Sequence, residues 1–249
     1  MVAEIELFKK KPSAIIFDTD NTLYHYDPAH EAAMEEVYRK AQNLIGISKS
    51  NFKNAFIKAR MDVKKRLGLT ASSHSRLLYL QRTLELIGIG SRLQMTLDLE
   101  QSYWRTFLNN CQLFPDVLEF IYLLKSLGIA TANITDLTAQ IQFRKLVYFG
   151  LDDFFDFVVT SEEAGRDKPD VKPFELILEK LQKKPSEIWM VGDDPQSDMI
   201  GAAKMGIRKI QKIHKGVEVH KIGDGKPDLK FKNYSDLIKI FKKNFLDAQ

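Results

Sequence analysis

The stretch AIIFDTDNTL, Ala14–Leu23, decides the fold. Its apolar start, led in by Ser13 and carrying two adjacent isoleucines, has the composition of a short strand buried on both faces. The run then ends in Asp18 and Asp20, with only Thr19 between them. Two like charges leaving a buried strand one residue apart need a cation, a proton or a strong hydrogen-bond partner close by.

On the C-terminal side the pattern changes. From Pro28 to about Cys111 apolar residues recur at three- and four-residue spacing, and PAHEAAMEEVYRKAQNLIG and SNFKNAFIKARMDVKKRLG each stop at a glycine, Gly46 and Gly68. Two more such segments follow, HSRLLYLQRTLELIG and LQMTLDLEQSYWRTFLNNC, so this block reads as four helices without a strand. Beyond Pro115 strand and helix alternate: IATANIT, FDFVVTS, EIWMVGD and IRKIQKI are the strands, and YSDLIKIF is a last amphipathic helix. Repeated strand–helix units predict an α/β fold with a doubly wound parallel sheet. Because the first strand precedes the helical block, that block is expected to be an insertion. The expected division is residues 1–24 and 112–249 as the α/β core and residues 25–111 as the all-α insertion.

Composition narrows the function. The chain has 249 residues, 44% hydrophobic and 28% charged, with a formal net charge of +4. Lysines and arginines are spread along helices rather than grouped with aromatics, so no nucleic-acid partner is expected. The lysine-rich C-terminal part, Lys204–Gln249, reads as a solvated face. The single cysteine, Cys111, excludes an intramolecular disulfide and a multi-cysteine zinc site. With no secretory signal and no long apolar run, a cytoplasmic protein without membrane association is expected.

In an open parallel sheet ligands bind beyond the carboxyl ends of the strands. The residues there are Asp18 and Asp20, Thr135 and Asp136, the loop around Lys168, and Asp193 and Asp194 with Asp198 close behind. Singly, Asp20, Asp194 and Asp198 are ordinary helix caps and Lys168 an ordinary loop lysine. Together, Asp18, Asp193 and Asp198 imply a divalent cation, and an all-oxygen set suits Mg²⁺.

FDTDNTL resembles the first motif of the haloacid dehalogenase superfamily, Asp-x-Asp-x-Thr after a buried strand. ANITD resembles its second motif, GRDKP its third, and VGDDPQSDMIGAAKMG its fourth. The resemblance implies a Rossmann-like core with a mobile helical cap of the C1 type. It implies Asp18 as a nucleophile forming an aspartyl-phosphate, and Asp20 as general acid and then base, its backbone carbonyl on Mg²⁺. Thr135 and Lys168 would hold the phosphoryl group, and Asp193 and Asp198 the metal. Asp194 would be a lesser ligand or a holder of Lys168.

Two Lys-Pro pairs compete for the third motif. Lys168 is preferred over Lys172, because Phe174 then stands six positions on, as in the family pattern. Val171 replaces a common second proline, and Asp136 replaces a common Asn and adds charge beside the phosphate. Because dehalogenases of the family generally lack the second acid, Asp20 directs the reading to a phosphatase of a small phosphorylated metabolite. A sugar phosphomutase, or a non-catalytic protein binding a phospho-ligand or a protein, is the alternative. In the cap, His74 and Arg76 at a helix start are candidate substrate ligands, Tyr24 a candidate for closing the site, and His30 a surface residue. A monomer or homodimer is expected.

Overall fold

The computed structural model describes residue 8 and residues 10–246. In chain order, β1 (Ala14–Phe17) is followed by four helices, α1 (Tyr26–Ile45), α2 (Lys49–Leu67), α3 (Arg76–Leu86) and α4 (Leu93–Asn109). Then come α5 (Val117–Ser126), β2 (Ala130–Thr135), α6 (Ala139–Tyr148), β3 (Phe157–Thr160), α7 (Ser161–Ala164) and α8 (Val171–Leu181). The remainder is β4 (Ile188–Gly192), α9 (Ile200–Lys204), β5 (Arg208–Lys212), β6 (Leu229–Phe231) and α10 (Tyr234–Phe241). The chain divides into two units, one of them Tyr26–Cys111 and the other the described residues on either side of it.

In the helical unit α1 packs mainly on α4, and α2 on α3. Ser48 Oγ accepts from the Asn51 N–H and caps α2; Ser75 Oγ accepts from the Leu78 N–H and caps α3. Gly46 and Gly68, with φ of 68° and 62°, end the first two helices in a conformation that costs glycine little.

The other unit is a doubly wound sheet of six parallel strands in the order β3-β2-β1-β4-β5-β6. Strand order reverses between β1 and β4, and the crevice at such a switch point is where this architecture binds ligands. Both faces are covered at the centre, which is why β1 and β4 are continuous apolar runs rather than alternations. Ala14, Ile16, Ile134 and Met190 meet Phe174 and Ile177 of α8 and Ala202 of α9 on one side. On the other, Phe17 meets Phe120 of α5, and Trp189 meets Phe241 of α10, with ring centroids 6.2 and 5.6 Å apart. The strand β6 was not anticipated from the sequence.

The helical insertion leaves the core through a narrow stem. Tyr24 bridges Leu113, and the Phe114 N–H donates to the Leu23 carbonyl at 2.8 Å. Among the described residues no helix is long and apolar enough to cross a membrane.

Candidate active site

The Asp18 N–H donates to the Val191 carbonyl at 2.9 Å, which carries the β1–β4 ladder one residue past the end of β1. Beyond it the chain turns, and the Thr22 hydroxyl donates back to Asp18 Oδ2 at 3.0 Å. Asn133, buried in β2, donates to the Phe17 carbonyl at 2.9 Å and exchanges a hydrogen bond with the Thr19 hydroxyl. These contacts fix where the β1 carboxylate points.

Lys168 Nζ lies 2.6 Å from Asp18 Oδ1, 2.7 Å from Asp198 Oδ1 and 3.3 Å from the Ile134 carbonyl, an acceptor for each of its three protons. Its backbone N–H donates to Asp136 Oδ1 at 3.0 Å, so Asp136 orients the lysine loop, while the Asp136 carbonyl accepts from Gln142. Lys172 is exposed at the start of α8. Thr135 ends β2, buried and in register with Thr160 of β3.

At the end of β4 the chain makes a wide π turn, Pro195–Met199, in which the Met199 N–H reaches the Asp194 carbonyl. The turn folds Asp198 back over Gly192, where a Cβ would stand 2.3 Å from Asp198 Oδ2. Asp194 is the cap of this turn, accepting from the Gln196 N–H at 2.8 Å, and its own N–H donates to Asp198 Oδ2. The structure gives Asp194 no contact with Lys168, its backbone instead supporting Asp198. Asp193 Oδ2 lies 2.9 Å from His214 Nε2, and the Asp193 carbonyl accepts from Gln211.

One oxygen each from Asp18, Asp193 and Asp198 lies within 4.8 Å of the others. Three carboxylates against the single Lys168 leave an excess of negative charge in a largely buried, oxygen-only cluster, which fits a divalent cation of the hard type. Asp20 faces elsewhere. Its carboxylate accepts from Lys145 Nζ of α6 at 2.7 and 3.1 Å and from the hydroxyl of Tyr24, a residue wholly buried.

A family model of haloacid dehalogenase-like hydrolases matches residues 12–206. This chain belongs to the haloacid dehalogenase-like hydrolases. It is 39% identical over 80% of its length to a ribulose-1,5-bisphosphate 5-phosphatase of Halopiger xanaduensis, covering 83% of that protein. A glyceraldehyde 3-phosphate phosphatase of Methanopyrus kandleri is 29% identical over 78% of the chain and 81% of its own length. In fold it resembles a HAD phosphatase from Thermococcus onnurineus, with a TM-score of 0.71 at 24% identity, covering 92% of this chain and 97% of that one. A 2-haloacid dehalogenase from Pseudomonas syringae shares the fold at a TM-score of 0.74 and 23% identity, over 93% and 99% of the two chains.

In this hydrolase the carboxyls of the cluster hold their protons strongly. Burial pushes Asp18 up to about 7, with Lys168 pulling the other way and Asp198 adding to the rise. Burial likewise lifts Asp193 and Asp198 to about 6, opposed by the His214 hydrogen bond in one case and by Lys168 in the other. Lys168 stays charged: its burial favours the neutral amine, but Asp18, Asp198 and Asp136 outweigh that and raise it well above the ordinary lysine value. The hydrogen bond to Asp193 raises His214.

The two cap candidates belong to the helical unit. The His74 carbonyl accepts from Arg76 Nη1 at 2.7 Å, and Arg76 also donates to the Tyr26 hydroxyl. The guanidinium sits 5.5, 5.4 and 5.8 Å from the ring centroids of Tyr79, Tyr103 and Trp104, so it is built into the unit's aromatic interior. His30 is corrected from a surface residue to part of the same cluster. It stacks on Tyr26, meets the Tyr103 hydroxyl at 2.7 Å, and is lowered to about 4 by burial and by Arg76.

Sequence reasoning missed Lys145, His214 and Asn133. Lys145 had a signal, since it lies four residues after Ile141 on the buried face of α6, where a lysine needs a partner. Asn133 is likewise a polar residue within an apolar strand. His214 had no local signal.

Proposed function

We propose that this hydrolase, a phosphatase like its relatives, cleaves a small phosphate monoester through an aspartyl-phosphate on Asp18. The observation that carries the assignment is the different company of two acids two residues apart. Asp18 sits against Lys168 and the Thr22 hydroxyl, which stabilise its ionised form against the burial that raises it; Asp20 sits against Lys145 and Tyr24, outside the three-carboxylate cluster. Asp20 then delivers a proton to the leaving oxygen and takes one from the water that attacks the aspartyl-phosphate. Lys168 and Thr135 hold phosphoryl oxygens, and Asp136 keeps the lysine loop in place.

Asp18, Asp193, Asp198 and the Asp20 backbone carbonyl are the groups we assign to Mg²⁺, which when bound supplies charge neutralisation for Asp18 and the phosphoryl oxygens. His214 holds Asp193 at its outer edge, as partners of metal carboxylates do. His74 we assign to substrate binding. Arg76 acts chiefly by holding α3 in its aromatic surroundings.

The test is Mg²⁺-dependent release of phosphate from an aryl phosphate and from a panel of sugar and triose phosphates, with Asp18→Asn inactive on all. A phosphomutase would interconvert isomers of a sugar phosphate with little free phosphate. Halide release from a 2-haloacid would move the assignment to dehalogenation.

A further inference from the structure

We propose that a basic cleft at the carboxyl ends of β5 and β6 binds a second anionic group, the distal phosphate of a doubly phosphorylated substrate. The inference rests on the phosphatase reading above and adds the substrate class. The cleft has a volume of about 550 Å³, within the range of small-molecule sites, and Lys212, Lys215 and Lys232 line it together with His214, with no acidic residue among its lining.

Lys212 is the decisive residue. Its side chain is buried, 3% exposed as a residue, and Nζ sits 4.2 Å from the centroid of Phe114 with one hydrogen bond, 3.3 Å to the Ile213 carbonyl. Two other lysines of the core unit are equally buried, and both are neutralised: Lys145 by Asp20, Lys168 by Asp18 and Asp198. Lys212 has no carboxylate within ion-pair distance among the described residues. A buried ammonium left with donors to spare, flanked by two exposed lysines, is the chemistry of an anion subsite.

The cleft also adjoins the carboxylate cluster. His214 lines it and holds Asp193; Tyr234 lines it and donates to the Thr22 carbonyl at 3.0 Å, while the Thr22 hydroxyl holds Asp18. A substrate with one phosphoryl group on Asp18 therefore has a second positive site on the same unit. The substrate class is a small metabolite carrying two phosphate groups.

The experiment compares kcat/KM for a five-carbon sugar 1,5-bisphosphate, its 5-monophosphate and an aryl phosphate, using the full chain with Mg²⁺. The unmodified protein should prefer the bisphosphate over the monophosphate by about ten-fold or more, mostly through KM. In Lys212→Met, and in the double variant K215E/K232E, whose positions are exposed and leave the core intact, that ratio should fall about ten-fold. An absent preference, or equal losses on both sugar substrates, would overturn the subsite while leaving the phosphatase reading intact. Failure of the unmodified protein to hydrolyse any of the three would overturn both. If added sulfate accelerates monophosphate hydrolysis in the unmodified protein and not in the variants, the cleft is an effector site and the proposal fails.

Discussion

Lys168 directs its three protons at two carboxylates and a carbonyl, and no exposed lysine nearby can replace that arrangement. Lys168→Met should lower kcat on an aryl phosphate by about 10²–10³-fold, whereas Lys172→Ala should change it by less than about two-fold. Steady-state rates for the two variants check this, and the reverse order would transfer the role to Lys172. Asp20→Asn should harm an alkyl phosphate far more than an activated aryl phosphate, because only the poorer leaving group needs a proton. Equal losses on the two esters would remove the acid role from Asp20. At this scale the sequence was informative where a residue ends a strand: Asp18, Thr135 and Asp193 occupy the sheet edge by chain geometry alone. His214 was not legible, since it acquires meaning only from a carboxylate 21 residues away in the chain; Lys145 showed only as a lysine on a buried helix face, its carboxylate lying 125 residues away.

Strands β1, β2 and β4 were readable because burial on both faces makes each a short, largely apolar run bounded by turn residues. β6 escaped notice: it is three residues long, and Lys230 stands exposed between Leu229 and Phe231 in a lysine-rich segment. The π turn after β4 was equally invisible, although it governs how Asp198 reaches Lys168. Its tightness depends on Gly192, and the approach of α9 to α8 depends on Gly201, where a Cβ would lie 2.2 Å from the Phe174 ring. Gly201→Ala should therefore cost about 1–3 kcal/mol through overpacking. Gly192→Ala should displace Asp198 as well and weaken metal binding. Denaturant melts with and without Mg²⁺ separate the two: the Gly201 variant should keep the Mg²⁺-induced gain in stability, and the Gly192 variant should lose most of it.

For the molecule as a whole, the carboxylate cluster links folding to pH and metal. Asp18 near 7 and Asp193 and Asp198 near 6 all stand above the ordinary value of 3.8, so between these limits the folded state holds more protons than the unfolded chain. Their contribution is fully present below about pH 4 and is lost as pH rises through about 7, so chelated protein should melt at falling temperature across that window. Saturating Mg²⁺ at 100 times its Kd should restore about 2.7 kcal/mol near neutral pH. Calorimetry in chelator and in Mg²⁺ checks both, and a chelated protein whose melting temperature rises from pH 4 to 7 would contradict the stated carboxyl shifts.

The stem at Tyr24 and Leu113 also bears on how the chain finds its fold. Phe17 and Asn133 are 116 residues apart in sequence, a separation that by itself makes the β1–β2 pairing a slow event. Once the stem is tied, the intervening helices no longer count, and the loop to be closed shrinks to about 30 residues. The kinetic cost of a long insertion thus falls on one small bridge. Substitutions at Tyr24 or Leu113 should slow refolding more than they speed unfolding, the signature of a contact made before the rate-limiting step.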